Sequence, residues 1–150
     1  MSVREATFLC PDLLCMPRAP DREARAFSAV VAAFDSVAAG VQCMRPGLAR
    51  CRVRGPARWH GSEEAAASAL VSAIEEAVGV ECFVGIADGP VASVKAAREG
   101  RIVPSAETQS FLGRISLCEA LSSIPPAMAD RASEAVELLR GLGIRTCADF

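Results

Sequence analysis

Among 150 residues there is one lysine, Lys95, and one histidine, His60. Almost all the cationic charge is therefore arginine, whose planar fork suits phosphates. A GC-rich coding bias gives the same composition. Any Ser-His-Asp or Cys-His pairing would have to use His60. That residue follows Trp59, where an aromatic and a partly buried imidazole are expected to close a hairpin against the next helix. The sequence also has no C-x-x-C pair. Its cysteines, Cys10, Cys15, Cys43, Cys51, Cys82, Cys118 and Cys147, are odd in number and scattered. This argues against a disulfide framework and fits a reduced compartment where cysteine acts as a small hydrophobe. Cys10 with Cys15, lacking a neighbouring His or a second pair, is a weak zinc signal.

No apolar run is long enough to span a bilayer. No signal peptide is visible, since the amino end carries Arg4 and Glu5 and soon meets Pro11. The expectation is a cytoplasmic protein with no membrane partner. Repeats and low-complexity tracts are missing too. The net charge of -2 does not advertise nucleic-acid binding; only the local distribution does. Glu63, Glu64, Glu75, Glu76, Glu134 and Glu137 fall at helix starts and on solvated helix faces. Asp88 lies in a turn and reads as a helix cap. No metal and no cofactor are expected.

What is present is a chain that is half apolar, mostly Ala, Val and Leu, which makes wholesale disorder unlikely. The length suits one domain with a real core, or a fragment of a larger protein. Ser2 to Cys10 reads as a short helix stopped by Pro11, and Arg18 to Pro20 as a connector. Asp21 to Ala39 reads as an amphipathic helix capped by Asp21 and ended by Gly40, with Ala24, Phe27, Val30, Val31, Phe34 and Val37 as its apolar stripe. Ser62 is expected to cap the next helix, with Glu63 and Glu64 complementing its dipole and Gly79 stopping it. Ala66, Leu70, Val71, Ile74 and Val78 would face the core. Val80 to Ala87, rich in Val, Ile and Phe, reads as a buried strand turning at Asp88-Gly89-Pro90 into a helix through Arg98. Ile102 and Val103 suggest a short edge strand ended by Pro104. Short helices are expected at Thr108 to Leu112 and Leu117 to Leu121, bounded by Gly113 and Pro125-Pro126. A longer one follows at Met128 to Leu142, with Ala132, Val136, Leu139 and Leu142 on one side.

The richest stretch runs from Val41 to Gly61, VQCMRPGLARCRVRGPARWHG. Pro46 and Gly47 suit the second and third positions of a type II turn, so the stretch reads as a hairpin. On the return strand Ala49, Cys51 and Val53 would point one way and Arg50, Arg52 and Arg54 the other. Arg45 and Arg58 add charge, and no acidic residue interrupts. Arg45, Arg50, Arg52, Arg54 and Arg58 are the candidate DNA-binding residues.

This frame resembles the palm hairpin of Y-family (translesion) DNA polymerases, V-E-V-x-S-I-D-E-A-F-L-D-x-T-G followed by L-F-G. It keeps Val41, Cys43, Ala49, Gly55 and Trp59-His60-Gly61. The family's Asp-Glu pair falls on Gly47 and Leu48, which cannot hold a divalent cation. Two-metal phosphoryl transfer needs carboxylates clustered so that two cations sit about 4 Å apart, so a polymerase active site is not expected. The closest resemblance is to the ImuB-type branch, in which these carboxylates are lost and R-P-G often forms the turn. M-S-V-R-E-A-T-F-L-C-P resembles the fingers segment G-M-x-x-x-x-A-x-x-L-C-P, which in the family lies well inside the chain. G-V-E-C-F-V-G-I-A-D-G-P resembles the strand-and-helix G-x-x-x-x-V-G-I-A-x-N-K. The family lysines there fall on Gly89, Pro90 and Val94. L-L-R-G-L-G-I-R-T-C-A-D-F resembles the thumb's L-x-x-L-G-I-x-T-x-x-D-F, without its usual first glycine hairpin.

The resemblance implies an α+β fold: a ferredoxin-like polymerase palm core over residues 21–104, a fingers remnant over 1–20 and a partial helix-hairpin-helix thumb over 105–150. It implies an N-terminally incomplete chain, whose first palm strand would run beside the hairpin and Val80 to Ala87. Without that strand, unpaired edges and uncovered apolar surface would favour self-association or strand borrowing. The implied role is non-catalytic, on primer-template DNA during damage tolerance and SOS mutagenesis. Implied partners are a RecA-like accessory protein, the sliding clamp and an error-prone C-family polymerase. Two alternatives stay open: an active Y-family polymerase whose carboxylates lie further upstream, and a protein-interaction module whose arginines meet an acidic partner.

Overall fold

In the computed structural model the described residues are 3–121 and 128–149. The expected start at Ser2, the break at Pro125-Pro126 and the closing Phe150 lie outside them. The α+β class is borne out by the described residues, which are helix-rich with one two-stranded antiparallel sheet.

A first short helix, α1 (Val3–Leu9), precedes α2 (Pro20–Val37). The expected Asp21 cap is a correction. The helix begins a residue earlier because Pro20, with its preset φ and no N–H to lose, occupies the first helical turn. Glu23 Oε1 instead accepts the Ala19 N–H at 3.2 Å, and the Arg18 guanidinium 3.1 Å from Oε2 holds that carboxyl below its usual range. The helix also stops at Val37 rather than Ala39, since Ala38 is already extended. Ala24 of the expected stripe faces solvent; Phe34 is its buried member, and Ala33, outside that stripe, is buried as well.

The hairpin follows as β1 (Gln42–Arg45) and β2 (Leu48–Arg50), with Gln42 opposite Arg50, Cys43 opposite Ala49 and Arg45 opposite Leu48. Pro46-Gly47 is its turn, and Gly47 takes φ +83°, where a side chain would be strained. Then come α3 (Arg54–His60) and α4 (Glu63–Val78). α4 forms as its sequence dictates. The Ser62 hydroxyl oxygen accepts the Ala65 N–H at 3.0 Å, and Gly79 ends the helix in the left-handed region.

α2 and α4 pack together around Ala33, Phe34, Ala38, Leu70 and Ile74. One face of this cluster is covered by Val41, Ala49 and Cys51 of the hairpin stretch and by Cys82 and Val84. The last two belong to the expected buried strand Val80 to Ala87, which is corrected here. Among the described residues no ladder forms there beyond a single parallel bridge between Ile86 and Ile102, and Phe83 is 65% exposed. Among the described residues the main-chain groups from Val80 to Gly85 meet no main-chain partner. Side-chain alternation puts Cys82 and Val84 inward, but a strand also needs a neighbour to pair with. The expected Ile102–Val103 edge strand reduces to that same bridge.

A second cluster gathers Ala92 and Ala96 of α5 (Pro90–Arg98), Val103, Phe111 of α6 (Thr108–Gly113) and Ile115. Gly85 ties the two clusters together. A Cβ there would lie 1.9 Å from the Ala97 amide nitrogen, so only glycine lets this backbone approach α5. The chain ends in α7 (Leu117–Ala120), α8 (Ala129–Gly141) and a closing bridge between Ser116 and Thr146. Of the expected α8 side, Val136 is buried, whereas Leu142 is 77% exposed. No helix among the described residues is long and apolar enough to cross a membrane.

Candidate nucleic-acid interface

All five candidate arginines are exposed. The structure spreads them over three kinds of backbone. Arg45 closes β1, and its Nη1 donates to the Pro46 carbonyl at 3.2 Å. Arg50 closes β2, and its Nε donates across the hairpin to Gln42 Oε1 at 3.0 Å. Arg52 lies in the connection, and Arg54 and Arg58 stand on α3. The expected strand through Arg54 is thus corrected to a strand that ends at Arg50 and a helix that begins at Arg54. Pro56 explains the change. In the first helical turn its missing N–H has no intrahelical partner to lose, whereas within a strand it would interrupt a ladder. Arg54 and Arg58 then fall one turn apart on the same outward side.

Inward-outward alternation nevertheless survives past the strand. Ala49, Cys51 and Val53 are half-buried, while Arg50, Arg52 and Arg54 are exposed. Cys51 and Cys82 both pack on the α2–α4 cluster, and burial pushes both thiols up, Cys82 further under the influence of Glu75 and Glu81. They behave as small hydrophobes, unlike Cys10, Cys15, Cys43 and Cys118, which are exposed.

Electrostatically the stretch is one-sided. Among the described residues, none of the five arginines forms a salt bridge. Arg45 and Arg50 lean on neutral oxygens, which orient the guanidinium without cancelling its charge. Arg58 also sits in the last turn of α3, where a cation complements the helix dipole. Five uncancelled guanidinium groups on one exposed stretch are suited to a polyanion.

The remaining candidates are not drawn into that stretch as a reactive site. Gly47 and Leu48 stand at the turn and offer no side-chain oxygen, so these two positions do not fit a magnesium pair. Among the described residues no group of three or more His, Cys, Asp or Glu is placed to hold a metal. Asp88 is exposed and does not cap α5, whose N-cap is Gly89 with no side-chain bond, which corrects its expected role. His60 is half-buried in the last turn of α3. Trp59 does not close the hairpin, because it is 85% exposed. Helical spacing would have told: with Pro56, Ala57 and His60 turned inward, the residue between Arg58 and His60 faces out.

The architecture is a helix-rich α+β fold that carries an acid-free, arginine-rich stretch on its surface. The impB/mucB/samB family model matches residues 1–98, from α1 through α5. The chain belongs to this family of Y-family polymerase domains, whose setting is DNA damage tolerance and translesion synthesis. No curated protein and no solved structure matches it.

Proposed function

We propose that this chain is a non-catalytic, ImuB-type Y-family factor that lies on primer-template DNA in the cytoplasm and recruits other proteins during induced mutagenesis. The observation that carries the reading is the turn itself, where Gly47-Leu48 stands in place of the family's acidic pair. The acid-free arginine stretch around it supplies non-specific phosphate contacts through Arg45, Arg50, Arg52, Arg54 and Arg58. In this reading residues 21–104 form the palm, 1–20 belong to the fingers and 105–150 to the thumb. Its partners are a RecA-like accessory protein, the sliding clamp and a C-family polymerase. The open main chain of Val80 to Gly85 and the exposed Phe83 support self-association through that edge.

Primer extension by the full-length protein with Mg²⁺ tests the first claim. DNA should be bound and no nucleotide incorporated; clear extension would end the reading. Sedimentation over a range of concentrations tests the second, and a monomer at all of them would remove it.

A further inference from the structure

Trp59 is 85% exposed, and a single exposed apolar residue needs no special explanation. Its surroundings do. Trp59 lines a recess of about 310 Å³ together with Val37, Ala39, Arg52, Gly55 and Pro56. An indole and a guanidinium therefore converge on one concave site. Its size falls at the lower end of small-molecule clefts, about 300–1,000 Å³. Among the described residues no carboxylate lines it. Arg58, next to Trp59 on α3, is exposed and without an ion pair among the described residues.

A flat π-face beside uncancelled cations is the chemistry that holds single-stranded nucleic acid. Bases stack on the aromatic while the basic surface follows the phosphates. Base pairs in an intact duplex are already stacked and present no free face. We infer that Trp59 is a stacking platform for an unpaired nucleobase, with Arg52 and Arg58 holding the flanking phosphates. The surface thus takes single-stranded DNA in preference to blunt duplex. This rests on the reading that the arginine stretch binds DNA, and the test separates the two.

Trp59 is the only tryptophan in the chain, so intrinsic emission reports on this position alone. The full chain is titrated with fluorescein-labelled oligo(dT) of about ten nucleotides and with a blunt duplex of equal length. Anisotropy and tryptophan emission are followed together. Oligo(dT) should bind more tightly than the duplex and quench the emission. Trp59→Ala should weaken single-strand binding about 5- to 150-fold, the equivalent of about 1–3 kcal/mol per stacked base, and leave duplex binding nearly unchanged. Trp59→Phe should restore most of the loss. Binding by anisotropy with unchanged emission, or with Trp59→Ala as tight as the parent, overturns the stacking role while DNA binding stands. Equal affinity for duplex and single strand overturns the preference. No binding of either DNA overturns this inference and the reading beneath it.

Discussion

Lys95 Nζ lies 2.8 Å from Glu119 and 3.2 Å from Glu99, and Arg101 and Arg140 stand 3.7 and 3.4 Å from Glu99 and Glu137. By contrast, Arg52, Arg54 and Arg58 have neither an ion pair nor a side-chain hydrogen bond among the described residues. The later part of the chain interleaves acids with its cations, whereas Val41 to Gly61 has no acid at all. A coding bias toward arginine acts on both regions alike and does not explain why acids are excluded from one of them. Exposed ion pairs contribute little stability, about 0–1 kcal/mol, so the paired region gains little from its pairs. The charges of Lys95, Arg101 and Arg140 are nonetheless cancelled locally. The overall charge of -2 hides a surface on which an anionic ligand meets no competing carboxylate.

The two regions can be separated experimentally, and the strongest change strikes the later, ion-paired part. Gly85→Ala forces a methyl into the α5 backbone, and we expect a loss of about 2–4 kcal/mol, measured by denaturant unfolding. A variant as stable as the parent would mean that the two backbones separate cheaply. Next is the arginine stretch. Arg50→Glu/Arg52→Glu/Arg54→Glu should weaken DNA binding about 100-fold or more near physiological salt, since each lost phosphate contact removes a counterion-release term. The paired control Arg101→Glu/Arg140→Glu should change it less than about threefold. Equal losses in the two variants would erase the distinction between the regions.

Smaller effects test the scaffold. Ser62→Ala removes the cap that fixes α4 directly after the basic stretch and should cost about 1 kcal/mol by thermal or chemical unfolding. Lys95 gives the smallest effect. Its partners Glu119 and then Glu99 hold its ammonium pKa above the ordinary value. The pair's contribution is therefore complete below the ordinary lysine pKa and is lost as pH rises through the raised one. Melting temperature should fall slightly more steeply above about pH 10 in the parent than in Lys95→Met, and identical profiles would show that the pair contributes nothing.

Where one local cause decided the outcome, the sequence was legible. Ser62 with Gly79 bounded α4, and Pro46-Gly47 gave the turn, because capping and positive φ depend on neighbouring residues alone. Arg50, Arg52 and Arg54 were harder. Their spacing of two imitates a strand, while Arg54 and Arg58 also satisfy a helix, and Pro56 breaks the tie. Val80 to Ala87 has the composition of a strand, but a ladder is a relation between segments that one segment's composition cannot supply. The five arginines were visible as residue types. Their spread over strand, connection and helix depends on how α3 packs against α4, and the recess beneath Trp59 on how the start of α3 meets Val37 and Ala39.

The most direct test of the basic stretch is the salt dependence of DNA binding by the full-length protein. With three to five arginines on the phosphates of duplex DNA, the slope of log affinity against log salt should lie between about -2.7 and -4.5, and the triple glutamate variant should flatten it by about 2.7. A slope near zero, or one that the three substitutions leave unchanged, would contradict the assignment of this surface to DNA.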